Sequence, residues 1–161
     1  IRNVALASHS GLGKTMLAEA FLHFSGATTR LGKIEDGTTI SDFDEEEVRR
    51  GISIYTSVLP VEHKNVKINF LDTPGYTDFI VEVISALRVA GSAILLVDAV
   101  SGVEVGTGIA WDYCNRFNLP LTDEQASSLA FYKPGDDSPE MPGIQVSLDA
   151  GEGRLFLMPP R

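Results

Sequence analysis

Eight residues near the start of the chain, Ser8-His9-Ser10-Gly11-Leu12-Gly13-Lys14-Thr15, have the types and spacing needed to hold a polyphosphate. Successive backbone N–H groups can wrap phosphate oxygens, and Gly11 and Gly13 permit close approach and positive φ. The start of a following helix adds a field that favours anions. Lys14 brings a point charge to the terminal phosphates. Thr15 offers a hydroxyl to Mg²⁺, an ion that keeps several waters and takes few protein ligands. The run matches the Walker A pattern with one departure: Ser8 fills the first position, normally Gly or Ala. The plainer reading is a glycine-rich turn with an exposed lysine. The Gly-Lys-Thr triplet, set between a strand pattern and a helix pattern, weighs against it.

Two further elements bear on a metal and a terminal phosphate. Asp72-Thr73-Pro74-Gly75 follows an apolar strand pattern. A carboxylate there can hold Mg²⁺ through a water, and the Gly75 N–H can bond a γ-phosphate. Alone, Asp-x-x-Gly could be an ordinary turn; downstream of a Walker A run it carries weight. Arg50-Gly51-Ile52-Ser53-Ile54 lies between the two motifs. Ser53 can give the ion a second hydroxyl when a triphosphate is bound, ordering the loop before it. The alternative is a plain strand start. For the acidic run Asp42, Asp44, Glu45, Glu46 and Glu47, a solvated loop face is the favoured reading. Cys114 reads as a buried thiol on a helix.

The elements that must position these residues follow from periodicity. Ile1 to Ser8 reads as a short buried strand. After the glycine turn, Leu17, Ala20, Phe21 and Phe24 share one helical face, and Gly26 ends the helix. Residues 27 to 51 form a long polar loop, a kind usually functional or mobile. Ile52 to Val61 and Val66 to Leu71 read as strands with a turn at His63 to Asn65. Ile80, Val83, Ile84 and Leu87 mark a second helix. Ala93 to Val97 is a continuous apolar run, as in a central parallel strand. A third helix begins near Val103 and carries Ala110, Tyr113, Cys114 and Phe117. Beyond Leu119 a short helix to about Tyr132 and a terminal hairpin (Ile144 to Leu148, Arg154 to Met158) are expected. The βαββαβα order predicts an open α/β sheet with ligands at the carboxyl ends of its strands.

Composition narrows the classes. The 161 residues suffice for one domain with a core. Thirteen basic against 22 acidic side chains give a net charge of −9, which argues against free-standing DNA binding. No stretch approaches the roughly 18 apolar residues of a membrane span. A single cysteine excludes an internal disulfide and fits a reducing compartment. No basic-then-apolar leader is present. The chain opens at Ile1 rather than Met, which fits a piece cut from something longer.

Taken together, the three motifs resemble the translational GTPases, specifically the elongation factor G and elongation-factor-G-like family. Ile1-Arg2-Asn3-Val4-Ala5-Leu6, Arg50-Gly51-Ile52-Ser53-Ile54, Asp72-Thr73-Pro74-Gly75-Tyr76-Thr77-Asp78-Phe79 and Val97-Asp98-Ala99-Val100-Ser101-Gly102-Val103 carry the likeness, which covers roughly residues 1 to 119. It implies a P-loop NTPase (G-domain-like) α/β three-layer sandwich with a mostly parallel sheet. It also implies GTP/GDP and Mg²⁺ as cofactors, a switch cycle, the ribosome as partner and a cytoplasmic setting. By the same resemblance His9, Ser10, Gly11, Leu12, Gly13, Lys14, Thr15, Asp72 and Gly75 bind nucleotide, and Thr15, Ser53 and Asp72 bind the metal. Lys14, Gly75 and Tyr76 serve hydrolysis. His9 matches a histidine that the family often has and takes no catalytic role.

The departures shape the expectation. Tyr76 stands where the family usually positions water with His, and a phenol is a poor general base at neutral pH; slow unstimulated hydrolysis is expected. Ser53 replaces the usual Thr. Both variants look like the elongation-factor-G-like branch. The guanine-reading Asn-Lys-x-Asp is absent from the sequence: after Leu119 the chain reads Pro120-Leu121-Thr122-Asp123-Glu124. The family's ribosome-gripping domains have no counterpart in 120–161. The expected organisation is a partial G domain, 1–119, truncated after its fourth strand and third helix, followed by a divergent tail, 120–161. A nucleotide-binding module without useful turnover and an inert fragment are the competing readings.

Overall fold

The computed structural model describes residues 1–98 and 101–119, together with the backbone of 155–158. The first strand, β1 (Arg2–Ala7), is central to the sheet and explains the layering. Ala5, Leu6 and Ala7 are all fully buried. Successive strand residues point to opposite faces. Leu6 therefore packs against one cluster with Ala18, Leu22, Leu59, Val61 and Phe70. Ala5 and Ala7 face a second cluster with Val83, Leu87, Leu95, Ala110 and Cys114. A strand apolar on both faces must be covered on both faces.

Helix α1 (Lys14–Phe24) covers the first face. Its sheet-facing stripe runs through Ala18 and Leu22, with Leu17 and Phe21 at its flank. Phe21 stacks on Phe70 with ring centroids 4.3 Å apart. The expectation that Phe24 belongs to the buried face is not met; it is 95% exposed. Two residues past Leu22 is about 200° around the helix, so Phe24 points away from the sheet.

Strands β2 (Ser57–His63) and β3 (Val66–Asp72) form an antiparallel hairpin. Its turn residues Lys64 and Asn65 both have positive φ, 48° and 63°, as a two-residue hairpin turn requires. Pro60 sits in β2, where an edge strand tolerates a missing N–H. Strand β4 (Ser92–Asp98) pairs parallel with β1, and β1 pairs parallel with β3. Helices α3 (Ile80–Val89) and α4 (Val105–Arg116) cover the second face.

The last strand, β5 (Leu155–Met158), pairs parallel with β4, Leu95 opposite Leu155. The full order is β2-β3-β1-β4-β5. The expected strand at Arg154 to Met158 is thus present, but its partner here is β4. The other hairpin arm, Ile144 to Leu148, and the short helix to Tyr132 lie outside the described residues.

Two local expectations change. The strand foreseen from Ile52 begins only at Ser57. The Ile54 and Tyr55 N–H groups donate instead to Glu47 Oε1, at 2.9 and 3.0 Å. The acidic run is no simple solvated face: it contains α2 (Glu45–Arg50). Asp44 caps α2 by accepting from the Glu46 N–H, and the Glu47 carboxylate returns to accept the Asp44 N–H. Gly51, with φ 64°, ends the helix in the left-handed conformation.

Candidate functional site

The glycine turn joins the carboxyl end of β1 to α1. Gly11 and Gly13 have φ of 76° and 82°, which only glycine adopts without strain. Gly13 is the N-cap of α1 and leaves the helix start without a side-chain cap. The first-turn N–H groups of a helix have no intrahelical partner, so an external anion suits this end. Lys14 is buried, and its Nζ donates to Ser8 Oγ at 3.1 Å and to the His9 carbonyl at 3.0 Å. Burial pushes its ammonium down to about 8, against the pull of Asp72 and Asp42. The Ser8 departure from Walker A thus supplies an acceptor for Lys14.

A cleft of about 460 Å³ opens over this turn. From the turn it is lined by Ser10, Gly11, Gly13, Lys14 and Thr15. From the facing loops come Ser53, Gly75, Tyr76 and Asp42. Gly75 lies so close that a methyl there would sit 2.5 Å from Lys14 Nζ and 2.6 Å from Ser10 Cα. Only glycine allows that approach. Tyr76 is 43% exposed beside it.

His9 and Leu12 do not line the cleft. Leu12 is buried. The His9 imidazole turns toward α4, where Nδ1 accepts the Gly106 N–H at 3.3 Å. The His9 N–H donates to Thr107 Oγ1 at 3.1 Å, and that hydroxyl donates to the Leu96 carbonyl at 3.3 Å. These bonds fix the turn to α4 and β4.

The residues expected around a metal converge. Thr15 Oγ1 and Ser53 Oγ are 3.1 Å apart. Asp72, at the end of β3, is fully buried, and its Oδ2 accepts from Ser41 Oγ at 2.6 Å. Burial pushes the Asp72 carboxyl up to about 6, opposed by hydrogen bonds from Ser41 and Thr15 and by Lys14. Asp42 is buried too; burial raises it, a hydrogen bond from Ser53 opposes this, and Glu47 and Glu19 raise it further. Oδ1 of Asp42 and Oδ1 of Asp72 have no hydrogen-bond partner. Two orphaned, buried carboxylate oxygens are costly as they stand.

No group of three or more His, Cys, Asp or Glu with metal-holding geometry occurs among the described residues. Two hydroxyls and two carboxylates fit a hard cation that keeps part of its water shell. The donor set therefore fits Mg²⁺.

Three contributors escape the sequence reading. Asp42 and Glu47 belong to the run expected to be a solvated face, and both are buried. The Asp44-x-x-Glu47 spacing is the available signal for the cap. Glu19, fully buried on α1, carries the letters of a helix's polar side. Its spacing of four from Thr15, on the same face, is the available hint. The far end of the loop is tied to α3, where the Thr56 N–H donates to Glu82 Oε2 at 2.8 Å.

Residues 1–122 match the family described as the elongation factor Tu GTP binding domain. The mitochondrial ribosome-releasing factor 2 of Candida albicans is 40% identical over 119 residues, 74% of this chain and 15% of that protein. Elongation factor G of Granulibacter bethesdensis is 37% identical over 120 residues, 74% and 17% of the two chains. A crystal structure from Thermus thermophilus aligns at a TM-score of 0.73 with 42% identity, covering 74% of this chain and 18% of that one. The chain spans less than a fifth of the length of these relatives.

Proposed function

Because the chain belongs to the elongation factor Tu GTP-binding domain family, we propose that it binds guanine nucleotide with Mg²⁺ as the switch domain of a translation factor and hydrolyses GTP slowly. One observation carries the reading. Thr15, Ser53 and the orphaned oxygens of Asp72 and Asp42 meet beside an uncapped helix start and a buried lysine. That combination suits a polyphosphate and its metal.

The roles divide as follows. The N–H groups of residues 10–15 wrap the phosphates, and Lys14 leaves Ser8 and the His9 carbonyl to meet the terminal ones. The Thr15 and Ser53 hydroxyls and the Asp72 carboxylate would hold the ion. When bound, Mg²⁺ supplies charge neutralisation to the phosphate oxygens. The Gly75 N–H bonds the γ-phosphate. Tyr76 orients the attacking water without serving as its base, so turnover is slow. In this scheme residues 1–119 act as a partial G domain and residues 120–161 as a divergent tail whose strand β5 joins the sheet beside β4. The relatives named as ribosome-releasing and elongation factors support the ribosome as partner.

The absence of Asn-Lys-x-Asp limits base selection. Most of the binding then rests on the phosphates and the ion, and GTP is discriminated poorly from ATP. Titration with GTP, GDP and ATP, with and without Mg²⁺, tests this. Tight GTP binding with negligible ATP binding would overturn the weak-selection part. Lys14→Ala should abolish the rise in melting temperature that nucleotide gives the parent; an unchanged rise would remove the site assignment. Tyr76 also favours a second reading, a nucleotide-sensing module without useful turnover. Single-turnover hydrolysis with and without ribosomes separates the two, and clear ribosome stimulation would exclude the module.

A further inference from the structure

We propose that Glu19 is a positioning residue for this site: from α1 it clamps the loop of residues 32–41 closed, and so delivers Ser41 and Asp42 to Asp72. The proposal rests on the metal and nucleotide reading above and extends it to a residue that touches neither.

Glu19 is fully buried, one helical turn beyond Thr15. Its carboxylate accepts three N–H groups, all from the main chain of one loop. Oε2 accepts from Gly32 at 3.1 Å. Oε1 accepts from Ile40 at 2.5 Å and from Ser41 at 3.4 Å. No ion pair to Glu19 occurs among the described residues, whose salt bridges join Glu46 to Arg49 and Arg50. The loop fits the carboxylate closely: a methyl on Gly32 would lie 2.5 Å from Oε2. The segment from Gly32 to Ser41 is therefore closed at both ends on a single side chain.

Ser41 shows what that closure achieves. Its N–H is held by Glu19 on α1, its hydroxyl donates to Asp72 at the end of β3, and its carbonyl accepts from Ser57 Oγ, at the start of β2, at 2.6 Å. Asp42 follows directly and lines the cleft. The loop reaches the metal-facing groups through this junction. The hydrogen bonds of Lys14, to Ser8 Oγ and the His9 carbonyl, lie outside it.

The chemistry demands an acceptor-only group. An ionised carboxylate offers lone pairs on both oxygens, and its hydrogen bonds are charge-assisted. Glutamine keeps the shape, but turns one oxygen into an NH₂ that faces N–H donors. One set of loop contacts must then break.

The test separates the two halves of the site. In the 161-residue chain, nucleotide affinity is measured in EDTA and in Mg²⁺, for the parent and for Glu19→Gln. The expected result is an EDTA affinity within about threefold of the parent. The Mg²⁺-dependent gain should fall at least tenfold, and amide exchange of residues 32–41 should quicken. Glu19→Asp, acceptor-only but shorter, should recover part of the gain. A merely structural role would lower both affinities together and give Asp no advantage over Gln.

A full Mg²⁺-dependent gain in folded Glu19→Gln overturns the clamp and leaves the functional reading standing. A parent with no such gain removes both. If the Gln variant does not fold, hydrogen exchange in the parent decides. The Gly32, Ile40 and Ser41 amides should slow together when GTP and Mg²⁺ are added; exchange as fast as that of an exposed loop amide, with no change on addition, overturns the clamp.

Discussion

Asp72 and Glu19 are both fully buried carboxylates, yet only one is legible in the sequence. Asp72 stands in a four-residue motif whose chemistry names its partner. Glu19 takes backbone N–H groups from a loop 13 to 22 residues away, and a backbone donor leaves no mark in the residue letters. The burial of Asp72 has a pH signature. Its carboxyl is raised to about 6 from an ordinary 3.8. The folded chain therefore holds its proton more tightly than the unfolded chain. Below about pH 4 both states are protonated and the contribution to stability is fully present. It is lost as pH rises through about 6, by about 3 kcal/mol at most. Denaturant melts in EDTA without nucleotide, from pH 4 to 7, should show this loss in the parent and not in Asp72→Asn. Equal pH slopes in the two proteins would reject it.

Elements are legible where periodicity rules and obscure where capping rules. The hairpin turn is expected at His63 to Asn65, and the structure places it at Lys64 and Asn65. The apolar run 93–97 falls in β4, and the helix expected near Val103 is α4. By contrast α2 has six residues and one buried side chain, Glu47, too short for a periodic signal. It exists because Asp44 and Glu47 satisfy its first N–H groups and Glu47 also holds Ile54 and Tyr55. The two Arg–Glu46 pairs on its exposed side add little. Asp44→Ala should therefore cost about 1 kcal/mol, and its larger effect should be local. Proteolysis of the loop around residues 44–56 should speed up while the midpoint of global unfolding barely moves. A variant no more cleavable than the parent would show that α2 does not organise this loop.

At the scale of the whole molecule, the sheet couples site and core. The glycine turn leaves the carboxyl end of β1, Asp72 ends β3, and both strands are buried on two faces. Ligand binding at such an end should stabilise the entire domain rather than one loop. Nucleotide with Mg²⁺ at about 100 times its Kd should add about 2.7 kcal/mol, seen as one shifted thermal transition. Two transitions, with only the earlier one ligand-sensitive, would contradict this. Cys114, buried in the same core and raised to about 12, is chemically quiet there. The layered order of helices and strands is legible as far as Phe117. The pairing of β5 with β4 is not, because a four-residue apolar strand carries no address for its neighbour.

Pro60 has a consequence for the company this chain keeps. It interrupts the outer rim of β2, the strand whose only neighbour is β3 among the described residues. A second chain laid along that rim would find a gap in the row of amide protons it needs. The rim therefore resists growth into a shared sheet and guards the protein against fibrillar self-association at high concentration.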